Sequence, residues 1–458
     1  MPDEELNATD ATNLDDTEVE QGEEETPLHV ALEARRVKTS RQDLPVETLY
    51  GWISRGKLNL QPDFQRYYVW NNIKSSRLIE SLLMDVPIPV IYVAEDTNKQ
   101  YVVVDGQQRL TAMQSYIAGK YPNDEPFKLT GLEVLTELNG KKFADLDEKL
   151  QEALLGAALR LTIIEEGSDP DVKFEVFKRL NLGAEKLNDQ ELRNCMYRGR
   201  YNDLLRNMAE ENVYMSKILN SDRLHDRMID RQLILRFLAM QRKTHWSYVR
   251  PIKRFLNREM EQHLDPGDRE LKAMRMFFER TIEMVWNVFG QNAFRRFTPG
   301  REDNPNGAWE KHRLNIALWD VIMYTFSHME KSRILPAAEA IREDFLDLMT
   351  NDSSFYDYVT STSDRPDLVR IYAETFHKRV EQVIASVGNG GRKFTLELKK
   401  KIYDAEPVCT VCGRLIREFD DATVHGVHLY WRDGKTIPND ARMSHRYCER
   451  ARRMQPIF

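Results

Sequence analysis

Tyr101–Gly119 reads YVVVDGQQRLTAMQSYIAG, a stretch that combines a strand, a turn and a helix. Its first four residues are aromatic or β-branched and lack helical spacing, which predicts a buried strand. Asp105-Gly106 is a dipeptide that turns the chain. Leu110 and Met113 then begin an apolar pattern with helical spacing. The polar residues between these two patterns therefore lie where a strand ends and a helix begins.

The turn itself carries residues suited to an anionic ligand. A helix N-terminus offers free N–H groups to an anion, and Gly106 lets a ligand approach the backbone closely. Arg109 can hold a phosphate through two parallel hydrogen bonds. Gln107 and Gln108 stand beside it in the sequence. A polar turn that merely caps a helix explains these five residues equally well.

Length and charge indicate several parts of different character. A chain of 458 residues suggests two or three domains. Residues 1–27 carry 11 acidic side chains and no Lys or Arg, so they are predicted to be a disordered acidic tail. Without them the net charge changes from −7 to +4. Residues 391–458 have a net charge of +5, which suits a polyanionic partner or a solvated basic surface.

The apolar patterns predict an α+β protein with three folded parts. Residues 28–200 alternate strands with helices, which is typical of a small mixed α/β domain. Residues 201–388 are predicted to form a helical bundle, in which Trp309–Phe326 is one amphipathic helix. A glycine-rich hinge precedes the last domain, residues 392–458.

The sequence shows no feature of a membrane or secreted protein. No apolar run approaches the length that crosses a bilayer, so no membrane partner is predicted. The N-terminus is acidic and resembles neither a secretory signal nor a transit peptide. Three of the four cysteines cluster near the C-terminus in a Cys-x-x-Cys context, which favours metal binding over disulfides, and the predicted location is the cytoplasm.

Four residues near the C-terminus predict a metal site. Cys409-x-x-Cys412 and His445-x-x-Cys448 are two short-spaced pairs separated by 32 residues. Three thiolates and one imidazole match a closed tetrahedral zinc site. Because four protein ligands leave no open position for water, the zinc is predicted to be structural.

The segment between the two pairs, residues 424–440, resembles the HNH nucleases, whose core is a ββα-metal fold. The resemblance implies a general-base His and a divalent Mg²⁺ or Mn²⁺ ion at the scissile phosphate, with His425 or His428 as the base. The family pattern is incomplete, because alignment on Gly434 places Gly426 where that His is expected. A one-residue shift places His425 there. Glu449 occupies a position where the family usually has Asn.

Four motifs in the first domain occur in order at suitable spacing, and together they resemble the GmrSD-type N-terminal domains, a ParB/sulfiredoxin-like family marked by the sequence DGQQR. The motifs are Pro62-x-x-Gln65-Arg66 with Trp70, Asp105-Gly106-Gln107-Gln108-Arg109, Phe177-x-Arg179-x-Asn181 and Leu187-x-x-Gln190-Glu191-x-Arg193. One such motif is weak support for membership, whereas four in series are strong support. HNH-like modules often follow this domain in the family.

The resemblance implies a DNA-acting protein of restriction and antiphage defence, often directed at modified DNA. It implies that Asp105, Gln107, Gln108 and Arg109, with Gly106, line a site for nucleotide binding and hydrolysis of GTP or ATP, with Mg²⁺ held by Asp105. Gln65 and Arg66 would face this site, and Asn181 would close it. The chain has no P-loop, so nucleotide chemistry would depend on this site.

Two interpretations remain open from the sequence. In the first, nucleotide or modified DNA engages the first domain and the HNH-like module cleaves DNA. In the second, the protein is a non-catalytic regulator whose degenerate HNH-like zinc module only binds DNA. A toxin–antitoxin or scaffolding role is a third class. A homo-oligomer or a second defence subunit as partner is compatible with each of these interpretations.

Overall fold

The computed structural model describes residues 37–60, 70–95, 99–180, 188–220, 225, 227–242, 250–311, 313–360, 365–388, 396–426 and 441–454. The chain divides into two compact units. The N-terminal unit contains residues 27–202 and 260–265, and the C-terminal unit contains residues 203–259 and 266–458. Within the described ranges, no helix is long and apolar enough to cross a membrane.

A five-stranded mixed sheet forms the centre of the N-terminal unit, in the order β1-β5-β3-β4-β2. Its strands are β1 (Thr39–Pro45), β2 (Leu58–Asn59), β3 (Ile91–Glu95), β4 (Tyr101–Asp105) and β5 (Ala158–Ile164). β5 pairs antiparallel with β1 and parallel with β3, whereas β4 pairs antiparallel with β3 and parallel with β2. The predicted mixed α/β domain is therefore present.

Helices cover this sheet and supply most of the remaining core. They are α1 (Val46–Ser54), α2 (Asn72–Leu83), α3 (Gln107–Ala118), α4 (Glu148–Gly156), α5 (Pro170–Leu180) and α6 (Asp189–Met196). Val103 of β4 and Leu110 and Tyr116 of α3 are fully buried in one apolar cluster. The strand and helix predicted from the apolar pattern are thus confirmed, because β4 buries Val102, Val103 and Val104 in succession and the helical spacing of α3 places Leu110 and Met113 on the core.

The C-terminal unit consists mainly of helices. After α7 (Arg200–Glu211), which begins just before the unit boundary, come α8 (Val213–Leu219), α9 (Ile229–Arg242), α10 (Ile252–Gln262), α11 (Asp268–Phe289), α12 (Ile316–Ser327), α13 (Lys331–Ile334), α14 (Ala338–Asn351), α15 (Ser353–Thr360) and α16 (Pro366–Gly388). Phe278, Ile282 and Val285 of α11 are fully buried. The apolar stripes of this region therefore form helix-bundle core, as predicted.

The helix predicted over Trp309–Phe326 is wrong at its start. Residues Ala308–Trp309 form a short strand, β7, which pairs antiparallel with β6 (Phe297–Thr298). The helix begins only after Asn315, whose side chain accepts a hydrogen bond from the backbone N–H of Leu318. Trp309 is held in the strand because its indole Nε1 donates to Asp420 Oδ2 at 2.7 Å, a long-range contact that local spacing cannot reveal.

The last elements are α17 (Leu396–Ala405), β8 (Ala422–Gly426), β9 (Ala441–His445) and α18 (Arg446–Met454). β8 and β9 pair antiparallel, with Ala422 opposite His445 and His425 opposite Arg442. The helix α18 follows β9 directly. The predicted strand–strand–helix order of the C-terminal module is therefore confirmed.

Ion pairs bind this module to helix α14 within the same unit. Arg446, the first residue of α18, donates to Asp347 Oδ1 at 2.6 Å and to the carbonyl oxygen of Asp420 at 2.7 Å, and it also donates to Glu343. Lys399 of α17 donates to Glu343 Oε1 at 2.7 Å. Because Arg446 and Lys399 are both buried, salt screens these pairs less than it screens fully exposed pairs, although the Glu343 and Asp347 side chains are 26% and 43% exposed.

The buried carboxyl of Asp421 lies at the same contact and predicts a pH effect. Burial raises its pKa to about 6, although the backbone N–H groups of Gly307 and Arg446 and the charges of Arg446 and Lys399 oppose this rise. The folded state then holds the proton more tightly than the unfolded state. Protonation of Asp421 therefore contributes its full stabilising free energy below the unfolded pKa near 3.8. This contribution is lost as the pH rises through the folded pKa of about 6.

We therefore expect Asp421→Asn to stabilise the protein at pH 8, by up to about 3 kcal/mol, because it removes a buried charge. The measurement is the difference in urea midpoint between this variant and the wild type at pH 4, 6 and 8. The difference should grow between pH 4 and pH 6. A difference that is the same at all three pH values would contradict the assignment.

Candidate functional site

The DGQQR turn is a tight junction between β4 and α3. Gly106 has φ = 101°, a left-handed conformation that favours glycine, and its carbonyl accepts the first helical hydrogen bond from Leu110 N–H at 3.0 Å. A Cβ atom at Gly106 would lie only 3.0 Å from Ile91 Cγ1. The chain therefore requires glycine here for conformation and for close packing.

Arg109 fixes this turn to the segment before β3. Its Nη2 donates to Asp105 Oδ2 at 2.6 Å, while its Nη1 donates to the carbonyl oxygens of Val90, at 3.3 Å, and of Pro89. The Arg109 side chain is 13% exposed and that of Asp105 is 42% exposed. Both terminal nitrogens of Arg109 thus donate hydrogen bonds to protein oxygens. The guanidinium therefore positions Asp105 in this structure.

The arrangement leaves a polar, partly exposed surface at the N-terminus of α3. Asp105 presents a half-exposed carboxylate, and Gln107 and Gln108 are partly buried in the first turn of the helix. Backbone N–H groups at a helix start favour an anion, and a carboxylate favours a hard cation. The remaining residues predicted for this site, Gln65, Arg66 and Asn181, lie outside the described residues.

The four predicted metal ligands converge in the C-terminal module. One ligand atom each from Cys409, Cys412, His445 and Cys448 lies within 4.8 Å of all the others. His445 Nδ1 is 3.5 Å from Cys412 Sγ and 3.8 Å from Cys448 Sγ. A tetrahedral zinc centre requires about 3.6 Å between ligating N and S atoms, so this donor set fits Zn²⁺.

The first ligand pair lies in a tight knuckle that is attached to β9. Gly413 has φ = 71°, and its N–H donates to the Cys409 carbonyl at 2.8 Å. The N–H of Cys409 donates to the carbonyl of Arg414 at 2.9 Å. Thr410 donates to the Met443 carbonyl through both N–H and Oγ1, at 2.9 and 3.0 Å. These bonds hold the knuckle beside the strand that carries His445.

Electrostatics at the cluster favour a bound cation. Burial lowers the pKa of His445, which keeps the imidazole neutral, and its Nε2 lies 3.3 Å from the Leu415 carbonyl, so Nδ1 faces the sulfurs as a ligand. Burial opposes ionisation of Cys409, but backbone N–H groups outweigh it and lower the Cys409 pKa. Burial and the Cys409 thiolate raise the pKa of Cys448. A bound divalent cation would allow Cys409 and Cys448 to be ionised at the same time.

His425 is enclosed within the same module. Its side chain is 9% exposed, and its Nδ1 lies 3.4 Å from Glu449 Oε2 and 3.3 Å from Ser444 Oγ. Arg452 donates to the other oxygen of Glu449 at 3.0 Å. A carboxylate beside an imidazole is an arrangement that orients a general base. His428, the alternative predicted base, lies outside the described residues.

Helix α6 contains buried polar residues to which the sequence motifs assign no ligand. Gln190, Arg193 and Asn194 are all buried, although each has a strongly polar side chain. Asn188 and Glu191 form a capping box at the start of this helix. The sequence signals were the motif Leu187-x-x-Gln190-Glu191-x-Arg193 and the mostly polar segment from 188 to 194, and such a segment is also typical of a solvent-exposed helix start.

Residues 46–198 match the family described as GmrSD restriction endonuclease, N-terminal domain. The match covers about a third of the chain and spans the helices α1 to α6 with the sheet strands between them. No curated protein shows significant similarity to the chain. The N-terminal unit thus contains a domain of the GmrSD N-terminal family, of the restriction-endonuclease type. The matched range ends before the C-terminal module, so the HNH resemblance stays a prediction.

Proposed function

We propose that this protein acts on DNA in restriction-type defence. The N-terminal unit senses a nucleotide or a modified DNA base at the DGQQR turn, and the C-terminal module binds or cleaves DNA. The observation that carries the proposal is the family match over residues 46–198. The division at residues 200 and 388 into DGQQR, helical and zinc domains is part of the same proposal.

The geometry at the turn supports a phosphate ligand with a divalent metal ion. Asp105 exposes a carboxylate that suits Mg²⁺ or Mn²⁺, while the α3 N-terminus suits phosphate. Gln108 is assigned to orient water or a ligand edge, and Arg109 holds Asp105 in place. If the protein hydrolyses GTP or ATP, the reaction therefore requires Asp105 to hold the divalent metal ion.

The C-terminal module supports DNA binding more directly than cleavage. Its metal cluster fits structural zinc, and the sequence from 391 to 458 is basic. His425 beside Glu449 supports a general base for Mg²⁺- or Mn²⁺-dependent cleavage, with His428 as the alternative. The alternative function, a non-catalytic DNA-binding regulator, is favoured by the burial of His425.

The deciding experiment measures cleavage and nucleotide hydrolysis together. The protein is incubated with unmodified plasmid or with phage DNA that carries modified bases, in Mg²⁺ or Mn²⁺, with GTP, ATP or neither. If His425 is the base, His425→Ala should reduce cleavage about 10²- to 10⁴-fold. Asp105→Ala should abolish nucleotide hydrolysis. Asp43→Ala, which removes an exposed carboxylate of the same unit, is the matched control.

The outcomes separate the two functions. DNA binding without cleavage under every condition would eliminate the nuclease and leave the regulator. Cleavage that survives both His425→Ala and His428→Ala would show that the base lies elsewhere. Nucleotide hydrolysis that persists in Asp105→Ala would remove the DGQQR turn from the reaction. A protein that neither binds DNA nor binds nucleotide would overturn the proposal as a whole.

A further inference from the structure

A groove lies between helix α17 and strand β9 of the C-terminal module. Its volume is ≈ 450 Å³, which is in the range of pockets that hold a ligand. Among the described residues, Ile402, Val408 and Met443 give it an apolar surface, while Lys401 and Arg442 give it positive charge. Both cationic residues are exposed, whereas Met443 is buried. The groove therefore combines an apolar floor with a cationic rim.

Three consecutive lysines of α17 have three different surroundings. Lys399 is buried and donates to Glu343 Oε1 at 2.7 Å, which fixes one side of the helix to α14. Because successive helical residues are about 100° apart around the axis, Lys401 lies on nearly the opposite side and lines the groove. Lys400 is exposed and does not line the groove. The orientation of α17 thus gives Lys401 a position that its neighbour of equal charge does not share.

The zinc knuckle supplies another wall of the groove. Val408 and Thr410 flank the predicted ligand Cys409, and both line the groove. Thr410 donates to the Met443 carbonyl through its N–H and its Oγ1, at 2.9 and 3.0 Å. These walls are held by contacts within the module, so the groove is formed before a ligand binds. Binding to a preformed groove loses less conformational entropy than binding that must order its own site.

The chemistry of the groove matches the backbone of a DNA strand. That backbone alternates an anionic phosphate with a largely apolar sugar, and Lys and Arg side chains neutralise such phosphates. The sequence from 391 to 458 has a net charge of +5, which favours a polyanionic partner. None of the described residues that line the groove is aromatic, so the groove offers no surface for base stacking. Contacts here therefore fit the backbone and not the bases.

We propose that the groove between α17 and β9 binds the sugar–phosphate backbone of a DNA strand, with Lys401 and Arg442 each contacting a phosphate. Arg442 is opposite His425 in the pairing of β8 with β9, so the bound strand passes beside the hairpin that carries the candidate general base. Phosphate contacts position DNA without reading its sequence. This inference rests on the proposed function and specifies which surface of the C-terminal module contacts DNA.

The test measures how the DNA affinity of the full chain depends on salt. Fluorescence anisotropy follows duplex DNA with and without modified bases between about 50 and about 200 mM salt, with no added Mg²⁺ or Mn²⁺. Each lost phosphate contact reduces the slope of log affinity against log salt by about 0.9 on duplex DNA. We expect this reduction in Lys401→Gln and in Arg442→Gln. Affinity should fall about 3- to 10-fold in each variant, equally for modified and unmodified DNA.

The matched control is Lys400→Gln, because it removes the same charge from the adjacent exposed position of α17. This control should keep the wild-type slope. Glu406 also lines the groove, and Glu406→Gln should raise the affinity about 2- to 5-fold, because it removes a carboxylate that repels phosphate. All four residues are exposed, so the melting temperature should stay at the wild-type value. If Arg442→Gln does not fold, Lys401→Glu replaces it and should weaken binding more than Lys401→Gln.

Three results would overturn the inference. The first is an equal reduction of the slope in Lys401→Gln and Lys400→Gln, because net charge alone would then explain the effect. The second is an unchanged slope in both groove variants of a protein that binds DNA, which would leave the proposed function intact. The third is a loss confined to modified DNA, which would show base reading in place of backbone contact. A wild type that binds no DNA would instead remove the DNA-binding part of the proposed function, and this inference with it.

Discussion

Cys409→Ser is expected to abolish the predicted metal binding and to unfold the C-terminal module. Cys409 and His445 are fully buried, and all four ligand atoms lie within 4.8 Å of one another. Structural zinc contributes apparent free energies of about 10–16 kcal/mol in zinc-finger peptides, so a site of this kind depends on its metal. Metal analysis should find one zinc per wild-type chain and none in the variant. The backbone amide hydrogens of β9 and α18 should exchange with solvent at the rate of an unfolded chain.

The control for this variant is Cys195→Ala. Cys195 is buried in α6, away from the cluster in sequence and in the other compact unit, so zinc content should stay at the wild-type value. Thiol labelling supplies a second measurement, in which chelator should increase the reactivity of Cys409, Cys412 and Cys448. Equal labelling with and without chelator, together with unchanged metal content in Cys409→Ser, would refute the zinc assignment.

Arg446→Met is expected to destabilise the C-terminal unit by about 1–3 kcal/mol, because the variant removes a buried guanidinium from the partly exposed carboxylates of Glu343 and Asp347 and leaves the Asp420 carbonyl without its donor. Arg446 donates to Glu343 and to Asp347, and it also holds the carbonyl of Asp420. Burial alone would raise the pKa of Glu343, but Arg446 and Lys399 hold it below its ordinary value. The stabilisation from this ionised carboxylate is present above the unfolded pKa and is lost as the pH falls through the folded pKa.

Urea unfolding of the full chain at pH 7.5 measures this effect. The matched control is Arg365→Met, because Arg365 is 56% exposed and pairs with the exposed Asp367. An exposed pair of this kind contributes at most about 1 kcal/mol. If Arg446→Met costs no more than Arg365→Met, the buried ion pairs do not attach the module to α14 as the structure indicates.

Local patterns predicted the elements whose side chains repeat in register with the backbone. The apolar run before Asp105 and the helical spacing after it gave β4 and α3, and both are confirmed. The cap that Asn188 supplies to α6 is equally local, because a cap involves only residues within one turn. Paired cysteine and histidine spacing likewise predicted the metal cluster, since short pairs bring two ligands to one point.

Contacts between distant residues could not be predicted in this way. Trp309 lies in a strand because its indole reaches Asp420, 111 residues further along the chain. The role of Arg109 was predicted as phosphate binding, whereas the structure also engages its guanidinium with Asp105, Val90 and Pro89. A sequence shows which side chain carries charge, but only the folded chain shows which oxygens accept its hydrogen bonds.

The sequence by itself determined the strand–turn–helix at Asp105–Arg109 and the α+β class, and it marked the two short-spaced Cys/His pairs, because each of these patterns depends on spacing within single elements. Tertiary structure alone decided that Arg446 faces Glu343 and that Gln190 and Asn194 are buried without full hydrogen bonding. These features depend on which elements pack together. Packing is set by the sum of many weak contacts across the chain, so no short motif records it.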